Sequence, residues 1–263
     1  MKHLAIGPGV LGYFAHLGVL KKLADTKQLD SLEEISGSSA GGIVALLYIA
    51  ARGNFERILN ISLNIPIHKM IKPDLKTLLK NYGLIPYQRI KDMFSEALRK
   101  LIPKKSDITF KELYYHFPVK LHIPAFCVNT GQTVYFSVDT HPDMSVLDVV
   151  YMTISIPFIF ESYEYRDWRY VDGAFMETTP CAPFLNKQDV LAIRLVHKSE
   201  QTFSDFKSYV NLILSAIMKN RYKYENIKHL YIDIGDTSVY NFSMTTEEKM
   251  KMYTLGYELT EVS

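Results

Sequence analysis

Cysteine is nearly missing from this chain: Cys127 and Cys181 are its whole supply, far apart and neither in a CxxC pair. Their scarcity excludes a disulfide framework and a thiolate metal site, and makes a reducing compartment such as the cytoplasm the expectation. Net charge is equally scarce. Thirty Lys and Arg residues face 28 Asp and Glu, leaving +2, too little to imply nucleic acid. Long apolar runs are absent as well. The longest uncharged one, from Ala40 to Ala51, is too short to span a bilayer. The opening "MKHLAIGPGVLGYFAHLGVL" has a signal peptide's charge and apolar character. Its glycines, Pro8 and His16 break the apolar core, however, and no clear small-residue cleavage site follows, so a leader is not expected. Repeats and low-complexity tracts are missing too, which removes solenoid and disordered architectures.

What is present is globular: 48% of the residues are apolar and 22% charged. A chain of this length buries one full core, and a single domain over residues 1–263 is expected. Strand-like "HLAI" leads through glycines into an apolar stretch that suits a packed helix, and "LEEIS" leads through a serine-rich turn into "GGIVALLYIAAR". Further on, "VKLHIPAFCVN" and "QTVYFSV" flank a "TG" turn as a hairpin. "SVLDVVYMTI" reads as a helix, and aromatic-rich strands run through "FIFESYEYRDWRYVDG". "VLAIRLV" and "HLYIDIG" are strands split by a helix near "FKSYVNLILSAIMKN", and Thr245 and Glu248 have capping-box spacing ahead of a last helix. This alternation predicts a three-layer α/β/α sandwich around a central, largely parallel sheet.

The segment from about 62 to 106 reads as helical and amphipathic, interrupted by Pro66, Pro73, Gly83 and Pro86. It carries Lys69, Lys72, Lys76, Lys80, Arg89, Lys91, Arg99, Lys100, Lys104 and Lys105 against Asp74, Asp92 and Glu96. Such a surplus is a solvated helical surface or a face that meets an anionic membrane.

Three stretches carry chemistry. In "EISGSSAGGIV", Gly37, Ser39 and Gly41 form GxSxG. Flanking glycines permit a tight strand-to-helix turn that lifts a serine above a sheet. The helix that follows adds free N–H groups and a positive dipole end. In "GPGVLG", Gly7, Gly9 and Gly12 close the first strand. One reading is a dinucleotide fingerprint with Asp30 as the ribose acid, although no clear strand ends at Asp30. The other is a loop aiming backbone N–H groups at a substrate carbonyl oxygen. In "YVDGAF", Asp172 and Gly173 end an aromatic strand; alone, Asp-Gly is a turn.

Together, in this order and spacing, "GPGVLGYFAHLGVLKKL", "ISGSSAGGIVALLYIAAR" and "YVDGAFMETTP" resemble the patatin-like phospholipase family, and the likeness extends over nearly the whole chain. The resemblance implies a metal-free and cofactor-free serine acyl hydrolase. Ser39 would be the nucleophile and Asp172 the base, with a glycerophospholipid or other lipid ester as substrate. Gly7, Gly9, Val10 and Ala40 would surround the oxyanion, with Gly12, Gly37, Gly41 and Gly173 shaping the turns. Two departures stand out. Pro8 occupies the middle glycine of the family's loop and has no N–H to donate, and Leu11 occupies its basic position. Two alternatives stay open: an α/β-hydrolase-like triad using His197 or His229, which follow Asp172 in that fold's order, and a lipid-binding pseudoenzyme that keeps the fold. The oligomeric state is not legible.

Overall fold

The computed structural model describes residues 1–196, 227–235 and 241–261, together with residues 209, 212, 213, 216 and 224. The side chains of Lys69 and Met70 lie outside the description, as do His197 and most of the helix expected near "FKSYVNLILSAIMKN".

The centre is β1 (His3–Ile6), buried along its whole length. A strand with no polar face belongs inside a parallel sheet covered on both sides. It has β2 (Glu34–Gly37) on one edge and β9 (Val190–Val196) on the other, both parallel to it. Beyond β9 lies β10 (Lys228–Asp233), and beyond β2 lies β4 (Lys120–Cys127), both again parallel to their neighbours. Antiparallel strands complete the far side: β5 (Gln132–Phe136) and β8 (Trp168–Val171) pair with β4, and β7 (Tyr163–Tyr165) pairs with β8. The sheet is thus mixed and mostly parallel, with helices flanking it.

Those helices follow their sequence patterns. Apart from the half-buried Ile43, α2 (Ala40–Ala50) is buried all round, as a helix with no polar stripe must be. Nearly every residue of α8 (Val146–Ile154) is buried, and Ser145 caps it by accepting the Asp148 N–H. Each such Val, Leu or Ile side chain removed from water contributes about 1.5–3 kcal/mol. Helix α1 (Tyr13–Asp25) packs on the C-terminal helix, Thr246–Glu258, at very close range. A Cβ at Gly18 would overlap the Tyr253 carbonyl oxygen, and one at Gly256 would overlap that of Ala15. The capping box expected at Thr245 and Glu248 is present.

The basic segment holds the end of α3 (Phe55–Asn64), then α4 (Ile67–Met70), α5 (Leu75–Asn81) and α6 (Tyr87–Leu101). It is not wholly helical. Between α5 and α6 the chain forms β3 (Gly83–Ile85), which pairs parallel with β6 (Phe158–Phe160) in a small second sheet. Short apolar stretches bounded by Pro and Gly do not distinguish helix from strand on pattern alone. Helix α7 (Phe110–His116) leads into β4.

Candidate active site

Strand β4 explains how Ser39 and Asp172, so distant in sequence, come to one place. Its first three residues pair with β2, putting Ser36 level with His122, so that the chain leaving β2 toward Ser39 heads for the level of Ala125. Its last two residues pair with β8, with Val171 level with Phe126. Because β8 runs antiparallel, the next residue, Asp172, also falls level with Ala125. A long strand that serves a parallel neighbour at one end and an antiparallel one at the other thus delivers both side chains to the same height. That height is the carboxyl end of the parallel strands, where open α/β sheets hold their ligands.

Ser39 occupies the turn between β2 and α2 with φ 52° and ψ −123°. A non-glycine residue at positive φ is strained, and such strain concentrates at functional sites. The neighbouring glycines make the turn possible: a Cβ on Gly37 would strike the Gly41 carbonyl oxygen, and one on Gly41 would strike that of Ile6. Two hydrogen bonds hold the turn. Ser38 N–H donates to the Ile6 carbonyl at 3.0 Å, and Ser39 N–H donates to Thr153 Oγ1 at 3.0 Å. Thr153, fully buried on α8, carries no motif signal in the sequence.

Asp172 is 1% exposed. Its Oδ1 accepts the Ala174 N–H at 2.8 Å, whereas Oδ2 is buried without a partner. Burial drives its pKa from the ordinary 3.8 up to about 7, against the opposing pull of the Ala174 N–H and the Ser39 hydroxyl. The hydroxyl is therefore near enough to favour the carboxylate yet completes no hydrogen bond with Oδ2. A carboxyl tuned to about 7 is a competent base at neutral pH, which an ordinary aspartate is not.

The glycine loop follows β1. Gly7 does not offer its N–H to the site, because it donates to the Ile193 carbonyl at 2.9 Å and extends the pairing with β9. Gly7 is thereby removed from the expected oxyanion donors. The N–H groups of Gly9, Val10 and Ala40 have no hydrogen-bond partner among the described residues. Val10 shares the strain of Ser39, with φ 47°, and opens the short 3-10 turn Val10–Gly12. His16 lies beneath this loop, its Nε2 donating to the Pro8 carbonyl at 3.4 Å. Burial pushes its pKa down to about 4, so the ring is neutral. The absence of an N–H at Pro8 is matched by a carbonyl tied down from below.

Val10, Ser39 and Ala40 open onto a pocket of about 100 Å³ whose other walls are apolar, among them Ile67, Ile71, Met93, Phe94 and Phe160. No motif in the sequence marks this lining, because it combines α4, α6, β6 and the chain after β10. Among the described residues no three His, Cys, Asp or Glu side chains gather as metal ligands. His229 pairs with Ala192, which pairs with Ala5, which pairs with Ser36. Three strand spacings, ~14 Å, therefore separate it from the serine strand, and its Nε2 is engaged with the Tyr224 carbonyl. It is not a third member of this site.

A sequence model described as Patatin-like phospholipase matches residues 4–185. The chain belongs to the patatin-like phospholipase family. It is 25% identical over 98% of its length to a protein named "Probable lipid hydrolase 463L" from Invertebrate iridescent virus 6, and covers 87% of that protein. It is also 26% identical to the omega-hydroxyceramide transacylase of Mus musculus, over 67% of this chain and 27% of the transacylase. Among solved structures, VipD of Legionella pneumophila superposes with a TM-score of 0.67 at 16% identity, and the type III effector ExoU with 0.56 at 16%. Each match covers 98% of this chain but 65% of VipD and 51% of ExoU. This patatin-like chain therefore corresponds to roughly two thirds of VipD and half of ExoU, and shares their fold.

Proposed function

We propose that this patatin-like protein hydrolyses fatty-acyl esters of glycerophospholipids through an acyl-enzyme on Ser39, with Asp172 as the only general base. The observation that carries the reading is the pairing of a strained, pocket-facing serine with a buried carboxyl whose second oxygen is unclaimed. Asp172 takes the Ser39 proton as Oγ attacks the ester carbonyl carbon. The oxygen that becomes negative lies against the N–H groups of Gly9, Val10 and Ala40, with the α2 dipole behind it. Collapse of the intermediate expels the lysolipid alkoxide, which takes the proton from Asp172. Water, deprotonated by the same carboxylate, then releases the fatty acid and restores the serine. The apolar pocket suits an acyl chain.

The same reading includes docking on an anionic bilayer from the cytoplasmic side. No helix of the described residues is long and apolar enough to cross a membrane. Beside the pocket, however, Leu75 is 70% exposed, Leu79 84% and Phe158 61%. Lys72, Lys76 and Lys80, all exposed, lie within three residues of Leu75 or Leu79 along the chain. Exposed apolar side chains interspersed with lysines suit insertion at a charged lipid surface, and Ile71 and Phe160, near them in the chain, line the pocket.

A fluorophosphonate probe tests the nucleophile. Labelling of the wild type that disappears in Ser39→Ala is expected, followed by fatty-acid release from a panel of defined phospholipids. A folded wild type that is not labelled would instead identify a lipid-binding pseudoenzyme.

A further inference from the structure

Next to the acyl pocket lies a second cavity of about 540 Å³, between the end of α3 and the start of the C-terminal helix. Ile67 and Phe242 line both, so whatever fills one sits beside whatever fills the other. The two differ in chemistry. The second cavity is bordered by Asn64, His68, Ser243, Thr245, Thr246 and Lys249, and no carboxylate among the described residues lines it.

Lys249 is the unusual member. It is 8% exposed, a degree of burial that lysine rarely shows without a counter-charge. Among the described residues its ammonium has no salt bridge and no hydrogen bond. The contact it does have is the Phe14 ring, 5.7 Å from its ammonium. Burial alone lowers its pKa, with no acidic neighbour offsetting the cost. The helix that carries Lys249 also turns its N-terminal end toward the cavity. The N–H groups of Thr246 and Glu247, which have no partner among the described residues, and the positive dipole end favour an anion there. Of the two acidic residues of that turn, Glu247 pairs with Lys251 at 2.8 Å, and Glu248 closes the capping box on the Thr245 N–H at 2.7 Å.

We propose that this cavity is a phosphate subsite in which Lys249, with the start of the C-terminal helix, binds the headgroup phosphate of the lipid whose acyl chain occupies the neighbouring pocket. This rests on the hydrolase reading of Ser39 and Asp172. Lys249 has a largely buried side chain and an unpaired ammonium at the border of the cavity, and a phosphate oxygen within hydrogen-bonding distance gives that ammonium a partner. The apolar pocket sets the chain, and the cation beside it selects lipids that carry phosphate.

Lys249→Met, similar in length but uncharged, is assayed on phosphatidylcholine and on diacylglycerol with the same chains, presented in the same mixed micelles. The KM for phosphatidylcholine should rise at least about tenfold with kcat little changed. Diacylglycerol kinetics should stay as in the wild type, and Lys249→Arg should recover most of the loss. Equal effects on both lipids, or none on either, would overturn the proposal. Binding of inorganic phosphate, followed by phosphorus NMR, separates the sources of the anion. Phosphate binding that is lost in Lys249→Met while the phosphatidylcholine KM stays put would assign the cavity to free phosphate and end the headgroup assignment. If the wild type hydrolyses neither lipid, the hydrolase reading fails, and the subsite is then judged on phosphate binding alone; a wild type that binds none overturns it.

Discussion

The two ends of the central sheet are built on opposite principles. At the amino end of the parallel strands, Glu34 accepts from His122 Nε2 at 2.7 Å and pairs with Lys187. The adjacent His3 ring bonds the Gln188 carbonyl at 2.8 Å, and Phe184 packs on the rings of both histidines. The buried charge is paired and its backbone is regular. At the carboxyl end, Ser39 and Val10 are held at positive φ. There, Asp172 Oδ2, Ser38 Oγ and His16 Nδ1 are buried without partners. At one end the buried carboxylate is paired, whereas the other leaves three polar atoms unpaired within a few residues of the strained turn. The contrast teaches that the amino end stabilises the sheet, while the carboxyl end is kept primed at a cost in stability.

The sharpest way to test that contrast is Asp172→Asn, which removes the costliest group of the primed end. Ester hydrolysis should fall by about 10⁴-fold, the order seen when a catalytic aspartate is made neutral elsewhere. Stability should move the other way. The folded pKa of about 7 lies above the ordinary 3.8, so the folded state holds a proton that the unfolded chain gives up across that window. The penalty is absent below about pH 4, grows as pH rises, and is complete above about 7, reaching about 4 kcal/mol. Chemical unfolding at pH 8 should therefore show the Asp172→Asn variant as more stable than the wild type, with the gap closing toward pH 4. The same titration should appear in the wild-type kinetics as kcat/KM rising through about pH 7.

Much of the primed end was legible beforehand, because strain of this kind needs glycine, and glycine is visible in a sequence. Gly37 and Gly41 marked the turn, and Asp172 with Gly173 marked the end of β8. The strand-forming stretches of β1, β2, β4, β9 and β10 were equally plain, since buried parallel strands read as short apolar runs. What the sequence hid were bonds made by residues with no motif of their own. The N–H of Gly7 belongs to β9 only because Ile193 lies opposite it. Thr153 looks like one more polar residue in an apolar helix, and Lys249 like one more charge in an amphipathic one. Strand β3 was hidden for another reason: its three residues pair with β6, far along the chain, and local pattern carries no record of such a partner.

The satisfied end is probed by Glu34→Gln. Burial alone would raise the Glu34 pKa, but hydrogen bonds from Lys187 and His122 outweigh it and hold the carboxyl below its ordinary range. Its contribution is therefore present above pH 4.5 and lost as pH falls through the folded pKa. His122 reinforces the slope, because burial lowers its pKa and the fold resists the protonation that the unfolded chain accepts below 6.5. This end thus loses stability on acidification, opposite in sign to Asp172. Glu34→Gln should cost about 2 kcal/mol at about pH 7, as loss of a charged hydrogen bond does, and should flatten the acid limb of a stability profile. Its kcat/KM should match the wild type, and a large fall in activity would erase the division of labour between the two ends.

The smallest effect is expected from Thr153→Val, which alters the primed end without touching its reacting groups. Valine fills the space of threonine on α8 and leaves Gly42, whose Cα faces the Thr153 methyl, undisturbed. It removes the oxygen that accepts the Ser39 N–H, and a buried donor left unpaired costs about 1–3 kcal/mol. If that bond holds Ser39 at its strained φ, the turn relaxes and kcat falls about tenfold, while KM stays put because Thr153 does not line the pocket. Thr153→Ser keeps the oxygen and should recover the rate, which a simple packing role would not predict. Equal kcat in wild type and Thr153→Val would mean that the close approach at Gly37 and Gly41 imposes the strain unaided, and that the primed geometry is a property of the turn and not of the helix behind it.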